Sequence, residues 1–241
     1  MGTLVQKVIR RPLTSVADVK IAPSDFAAEY TFGPKAIKNG EVHYLKNALD
    51  LNAYSYSIEN RSTIREELGI KNNAFVVGHV GRFAKQKNHG FLINAFYELV
   101  KINPDARLIL VGKGELENEI RAKVEELGLV DAVCFTGVRS DIPALLSAFD
   151  VFALPSLYEG MPNVVIEAQA AGLPCFVADS VTKQANVTGL VEFLPNNEPA
   201  KWAQAMSSID IIRDRFGMNL VMISAGYDIA QAADEFVRLV F

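Results

Sequence analysis

Short runs that are apolar throughout alternate with helix-patterned segments between Phe75 and Ala178, and this alternation leaves few folds open. Phe75–Val80, Arg107–Val111, Ala132–Thr136, Val151–Leu154 and Pro174–Ala178 read as strands. A strand with no polar alternation is buried on both faces. Between them, Asn88–Ile102 reads as an amphipathic helix and Glu115–Leu127 as a charged helix ended by Gly128. Asp141–Ala148 and Asn163–Ala171 read as shorter helices. Strands and helices in turn demand a Rossmann-like, doubly wound parallel sheet of the α/β class. Such sheets bind ligands outside the carboxyl ends of their strands. Four loops fall there, Gly81–Asn88, Gly112–Glu115, Gly137–Asp141 and Pro155–Asn163, and all carry Gly and polar residues.

The two ends read differently. After Ala178, Leu190–Leu194 is the last strand candidate. Pro199–Ser208 is a helix with Pro199 in its first turn, and the remainder to Phe241 reads as helical, broken near Gly217 and Gly226. Near the other end, Val16–Pro23, Ser24–Phe32 and Val42–Leu45 read as strand, helix, strand. That is too little for an independent sheet. These residues are either the tail of a preceding domain or strands that extend the main sheet.

Bulk properties narrow the function classes. The chain has 241 residues, half of them hydrophobic, which suffices for one large domain or two small ones. The net charge of −4, with no long Lys/Arg run, argues against a nucleic-acid partner. Cys134 and Cys175 sit in apolar runs and read as buried reduced thiols, which fits the cytoplasm. No apolar stretch is long enough to span a bilayer, and no secretory core opens the chain. His43, His79 and His89 have no metal-site spacing, so no metal or cofactor is expected. No Gly-x-Ser-x-Gly elbow or Ser/His/Asp set stands out.

The chemistry-bearing residues crowd into the four loops. Glu159-Gly160-Met161-Pro162-Asn163-Val164-Val165-Ile166-Glu167 joins a buried strand to a helix. Carboxylates accept hydrogen bonds from sugar hydroxyls, and free N–H groups at a helix start bind phosphate. Asn163 is the expected N-cap, which leaves the amides of Val164 and Val165 open and puts Glu167 in the first turn. Alone, the segment reads at least as well as an ordinary capped helix with two surface acids. In Gly81–Asn88, Gly81 admits close backbone approach, and Arg82 and Lys87 can reach one anion from two sides. The Gly112-Lys113-Gly114 turn lacks the third Gly of a dinucleotide fingerprint and any Walker lysine–hydroxyl pair, so NAD and P-loop chemistry are disfavoured. In Gly137–Asp141, Ser140 or Asp141 caps the next helix. Arg139 lies exposed, with a backbone that could pair with a base edge, although in isolation the loop reads better as a plain strand-to-helix turn.

These residues together resemble the retaining glycosyltransferases of family 4, the "group 1" glycosyltransferases. The likeness rests on Val80-Gly81-Arg82 with Lys87, Leu110-Val111-Gly112-Lys113-Gly114, Phe135-Thr136-Gly137-Val138 and Asp150–Glu167, and runs from about Ser24 to the C-terminus. The Glu-x7-Glu element, written Pro-Ser-x-Tyr-Glu-Gly-x-Pro-x-Val-x-x-Glu-Ala, is its most specific part. The resemblance implies a GT-B fold, two Rossmann-like domains with the active site between them and the nucleotide-sugar held by the C-terminal one. It implies that Arg82 and Lys87 bind the donor diphosphate, that Glu159 lies near the transferred sugar with the amides after it, and that Glu167 bonds the ribose. It places Val138 and Arg139 at the base, and implies a reaction that keeps the anomeric configuration without a bound metal. The donor is then a UDP-type sugar, and the acceptor a polysaccharide or a lipid-linked glycan.

Three departures qualify this. Asn47-Ala48 replaces the family's usual Asn-Gly before the interdomain link. Asp179-Ser180-Val181-Thr182-Lys183-Gln184 replaces the Gly-Gly-x-x-Glu loop that helps hold the donor sugar, a variant seen in exopolysaccharide- or capsule-building members. Family members also carry an N-terminal acceptor domain that supplies a catalytic His and membrane contacts. Here residues 1–52 are expected to be the end of that domain plus the linker, and 53–241 the donor-binding domain with C-terminal helices. On that reading the chain alone has little or no transferase activity and self-associates through uncovered apolar groups. Any contact with the inner face of the membrane comes through the acceptor domain. The competing readings are a nucleotide-sugar epimerase of the same architecture and a non-catalytic nucleotide-binding module.

Overall fold

A computed structural model describes residues 16–209 and 215–241. The chain divides into two compact units, one of Met1–Asp50 with Ile223–Phe241 and one of Leu51–Met222. In the first, strands β1 (Lys20–Ala22) and β2 (Val42–Tyr44) pair in parallel, Lys20 opposite Val42. Helix α1 (Asp25–Phe32) starts where the Ser24 hydroxyl accepts from the Ala27 amide at 3.2 Å. It ends at Gly33, whose φ of 81° suits a residue without Cβ. Pro34 then opens α2 (Pro34–Lys38). Ala22, Ala28, Ala36 and Val42 form a small core. The two strands make a sheet of their own, so they do not extend the six-stranded sheet.

The larger unit begins with α3 (Ile58–Glu67), capped by Ser57, whose hydroxyl accepts from the Asn60 amide at 3.1 Å. Strand β3 (Val76–Val80) and helix α4 (His89–Ile102) follow, then β4 (Arg107–Val111), α5 (Glu117–Glu126), β5 (Val133–Gly137) and α6 (Ile142–Ala148). The unit continues with β6 (Val151–Leu154), α7 (Asn163–Ala170), β7 (Cys175–Ala178), β8 (Val191–Leu194) and α8 (Pro199–Ser207). Past the undescribed residues 210–214 come α9 (Met218–Ser224) and α10 (Ile229–Val240), the latter capped by Asp228 and grouped with the first unit. Helix α9 starts just after Gly217 and the break expected near Gly226 separates α9 from α10, while the helix expected across 210–214 lies outside the described residues.

All neighbouring strands of the main sheet are parallel, in the order β5-β4-β3-β6-β7-β8. Counted from β3 this is 3-2-1-4-5-6, the doubly wound order, and the direction of winding reverses between β3 and β6. Open α/β sheets bind ligands beyond the carboxyl ends of the two strands at such a switch point. The loops after them are Gly81–Asn88 and Pro155–Asn163.

Helix α4 turns Phe91, Leu92, Ala95, Phe96 and Leu99 inward, and Phe91 meets Trp202 of α8 edge-on at 5.5 Å. Each large apolar side chain so buried contributes about 1.5–3 kcal/mol. Helix α3 is held differently. Its buried residues are Ile64 and Arg65. Arg65 donates to the carbonyls of Ala148, Asn72 and Ala74 and pairs with Asp150 at 2.8 Å. Arg61 pairs with the other Asp150 oxygen at 2.6 Å, and Arg215 donates to carbonyls of Leu146, Phe149 and Ala171. This guanidinium–carbonyl network locks α3 and Arg215 to the end of α6. Asp150 also accepts from the Val76 amide at 2.7 Å, which ties the start of β3 to that of β6.

Candidate functional site

The loop after β3 is pinned from below. Phe83 is 1% exposed despite lying in a loop. Its amide donates to Lys113 O at 3.2 Å and its carbonyl accepts from Leu116 N at 3.0 Å. Its ring stacks on His89 at 4.2 Å and on Phe135 at 5.9 Å. Gly112, at φ 138°, lies so close to this loop that a Cβ would sit 2.1 Å from the Gly81 carbonyl oxygen. The Gly-x-Gly turn thus serves close packing of two loops.

The loops after β3 and β6 are stitched together. Leu157 N donates to Gln86 O at 2.8 Å, and Gln86 Nε2 donates to Tyr158 O at 2.9 Å and to Glu159 Oε2 at 3.2 Å. Lys87 Nζ lies 2.6 Å from Glu159 Oε1, and Ser156 Oγ donates to that same oxygen at 2.8 Å. The two side chains are only 18% and 11% exposed. Arg82 stands apart, 73% exposed and paired at 3.0 Å with Glu115 at the end of the Gly112–Glu115 turn.

Helix α7 begins otherwise than the sequence reading holds. Pro162 is its N-cap, Asn163 is its first residue, and no side chain caps it. The Val165 amide is not open, since it donates to Pro162 O at 3.0 Å. Among the described residues the amides of Gly160, Met161 and Val164 have no acceptor. Proline has no N–H of its own, so one donor fewer needs capping. Glu167 is also not in the first turn but a full turn in. Its half-buried carboxylate has no hydrogen-bond or ion-pair partner among the described residues, and burial pushes its pKa up. The Tyr54 phenol, itself raised by burial and then by Glu167, lies close by.

The loop after β5 presents Val138, 73% exposed. Arg139 is not the exposed side chain expected from sequence. It reaches Asp141 at 2.6 Å and Glu67 of α3 at 2.5 Å. The Asp141 and Glu67 hydrogen bonds hold its guanidinium well above the ordinary arginine range. Asp141 occupies the N-cap of α6 but spends its carboxylate on Arg139, not on the helix.

Two histidines lie directly under the cation loop. His79 Nδ1 sits 2.8 Å from Ala153 O, while His79 Nε2 and both His89 ring nitrogens are buried with no partner among the described residues. Burial, and then the neighbouring charges, hold both rings in the neutral form, His89 with a pKa of about 4. Among the described residues no group of three or more His, Cys, Asp or Glu side chains is placed to share one ion. No helix there is long and apolar enough to cross a membrane.

The sequence reading assigns no role to Gln86, Ser156, Glu115 and Tyr54, although Ser156 stands in the Pro-Ser-x-Tyr-Glu run, three residues before Glu159, and Glu115 closes the Gly112–Glu115 turn.

The segment that carries the β3/β6 switch point, with Arg82, Lys87, Glu159 and Glu167, matches a known sequence pattern. The profile of the family described as glycosyl transferases group 1 matches residues 74–209, more than half of the chain. The chain belongs to the group 1 glycosyltransferase family. EpsF of Bacillus subtilis (strain 168), named as a glycosyltransferase, is 35% identical over 202 residues, 83% of this chain and 53% of EpsF. The UDP-Gal:alpha-D-GlcNAc-diphosphoundecaprenol alpha-1,3-galactosyltransferase of Escherichia coli is 38% identical over 143 residues, 58% of this chain and 37% of that protein. The chain thus spans about half the length, or less, of these relatives. HepE of Anabaena, solved with UDP-glucose, superposes with a TM-score of 0.77 at 28% identity, over 97% of this chain and 66% of HepE. The sheet is the Rossmann-like sheet of a GT-B glycosyltransferase.

Proposed function

We propose that this chain supplies the donor-binding half of a retaining hexosyltransferase that takes its sugar from a nucleotide diphosphate, of the UDP type. The observation that carries the reading is the meeting of Lys87, Glu159 and the open amides of Gly160, Met161 and Val164 at the β3/β6 switch point. The resemblance of HepE, solved with UDP-glucose, supports the nucleotide. The Escherichia coli relative, whose name gives a diphosphoundecaprenol-linked sugar as acceptor, supports a lipid-linked glycan acceptor.

In this reading the diphosphate lies over the amides that open α7, with Arg82 and Lys87 on its flanks. Negative charge grows on the leaving diphosphate as the sugar departs. Fixed cations and amides stabilise that charge without reorganising, the task a metal ion performs elsewhere. Lys87 is already oriented by Glu159. Arg82 swings free of Glu115, an exposed pair of little energetic weight. Glu159 faces the sugar, Glu167 accepts from the ribose hydroxyls, and the base meets Val138 and the backbone of Arg139. The Arg139 side chain braces that loop instead of reading the base.

Calorimetric titration of the chain with UDP, GDP and their glucose derivatives, in the presence of a chelator, tests this. Binding of the UDP series that survives chelation is the expected result. No binding at millimolar nucleotide would remove the reading.

A further inference from the structure

We propose that Gln169 is a positioning residue for the donor site, one buried amide that fixes the β7–β8 segment against the loop carrying Glu159. The proposal rests on the functional reading above for its consequence, and on geometry for its cause.

Gln169 lies on α7, two residues after Glu167, and is fully buried. Its Nε2 donates to Val165 O at 3.0 Å and to Ala185 O at 2.8 Å. Its Oε1 accepts from Val187 N at 2.9 Å, Thr188 N at 3.1 Å and Thr188 Oγ at 3.0 Å. The side chain thus presents the segment with a donor and an acceptor, as a neighbouring strand would. The segment has little else of that kind. Apart from one short turn at Lys183–Ala185 it is irregular from Asp179 to Leu190.

The other end of the segment touches the site. Ser180 Oγ donates to Ser156 O at 2.9 Å, and Ser156 Oγ donates to Glu159 Oε1. The Glu159 oxygen in turn holds Lys87. A path of hydrogen bonds, joined through the covalent frame of Ser156, therefore runs Ser180–Ser156–Glu159–Lys87 across the carboxyl ends of β7, β6 and β3, neighbours in the sheet. Gln169 anchors one end of the segment and Ser180 the other. Loss of the amide would leave three half-buried donors and the buried Ala185 carbonyl without their partner, a loss of about 1 kcal/mol for each bond and more where water cannot replace it. The segment would move rather than bear that cost, and Ser180 would move with it. Glu159, which faces the sugar, would lose part of its support, while Arg82, the amides that open α7 and the loop at the base, which lie outside this path, would keep theirs.

The test compares the wild-type chain with Gln169→Leu, Gln169→Glu and Ser180→Ala. UDP and UDP-glucose are titrated against each, and amide hydrogen exchange is followed over residues 155–163 and 179–190. For Gln169→Leu we expect UDP affinity within about twofold of wild type and about a tenfold fall in the preference for UDP-glucose over UDP. Exchange should speed up in both segments. Gln169→Glu, which keeps the acceptor for Val187 and Thr188, should recover part of both effects. Ser180→Ala, an exposed change that leaves the fold intact, should lower the UDP-glucose preference about fivefold. Equal losses for UDP and UDP-glucose would overturn the proposal, as would a wild type that binds UDP but gains nothing from the glucose. If the wild type binds neither ligand, the functional reading falls. Exchange then decides alone, and unchanged protection of residues 155–163 in Gln169→Leu overturns the positioning role.

Discussion

Lys87 and Glu159, borne by loops on adjacent strands, face each other across 2.6 Å in a largely shielded ion pair. A shielded cation already held in place needs no ordering when an anionic ligand arrives. The two partners should therefore respond differently to substitution. Lys87→Met should weaken UDP binding about 10–100-fold, the worth of a charge-assisted hydrogen bond. Glu159→Gln removes the competing carboxylate and should leave UDP binding within about threefold, while abolishing any sugar-dependent gain. Calorimetry on both variants checks the pair. Equal weakening would mean that Lys87 cannot work without its partner.

Stability should depend on the buried histidines. Burial holds His89 near a pKa of about 4 in the folded chain, against 6.5 for the free side chain. The unfolded chain then binds protons more readily, so acid favours unfolding. The stability is complete above about pH 6.5 and falls as the pH drops toward about 4, by about 3 kcal/mol for His89 alone. His79 shifts in the same direction. Urea unfolding of wild type and His89→Phe at about pH 7.5 and pH 4.5 should show the variant losing less stability over that interval. An unchanged pH dependence would contradict the assignment.

Asp150 neutralises Arg61 and Arg65 in the interior and also receives the Val76 amide. Removing one member of a buried charge network leaves the others uncompensated. Asp150→Ala should cost about 3–5 kcal/mol. Thermal unfolding followed by fluorescence of Trp202, the single tryptophan and fully buried, measures it.

Gly112→Ala should damage the site through packing. Its φ of 138° and the 2.1 Å approach of a Cβ to the Gly81 carbonyl force one of the two loops to move. Strain of this kind costs about 1–3 kcal/mol. Nucleotide affinity should fall even where thermal unfolding shows the chain still folded. Unaltered affinity would separate the Gly112–Glu115 turn from the site.

The main sheet was legible because its strands are apolar throughout and its loops are short. Arg107–Val111 and Val151–Leu154 occupy the expected residues. Helix α3 was not legible, since its buried residues are one isoleucine and an arginine whose partners are backbone carbonyls distant in sequence. The start of α7 was misjudged by one residue because Asn163 is a favoured cap, yet Pro162 takes that place. Arg139 illustrates a general limit. Its loop position was plain, but its partner Glu67 lies on the one helix that the pattern did not reveal. The Lys87–Glu159 pair joins residues far apart in sequence, and only the strand order brings them together.

The central claim is that a diphosphate is held between Arg82, Lys87 and the amides at the start of α7. Its most direct test is the dissociation constants of UDP and of uridine, measured with chelator present, for wild type and for Arg82→Ala combined with Lys87→Met. The account predicts that UDP affinity falls about 100-fold or more while uridine affinity changes less than about twofold. An equal loss for both ligands, or none for UDP, would contradict it.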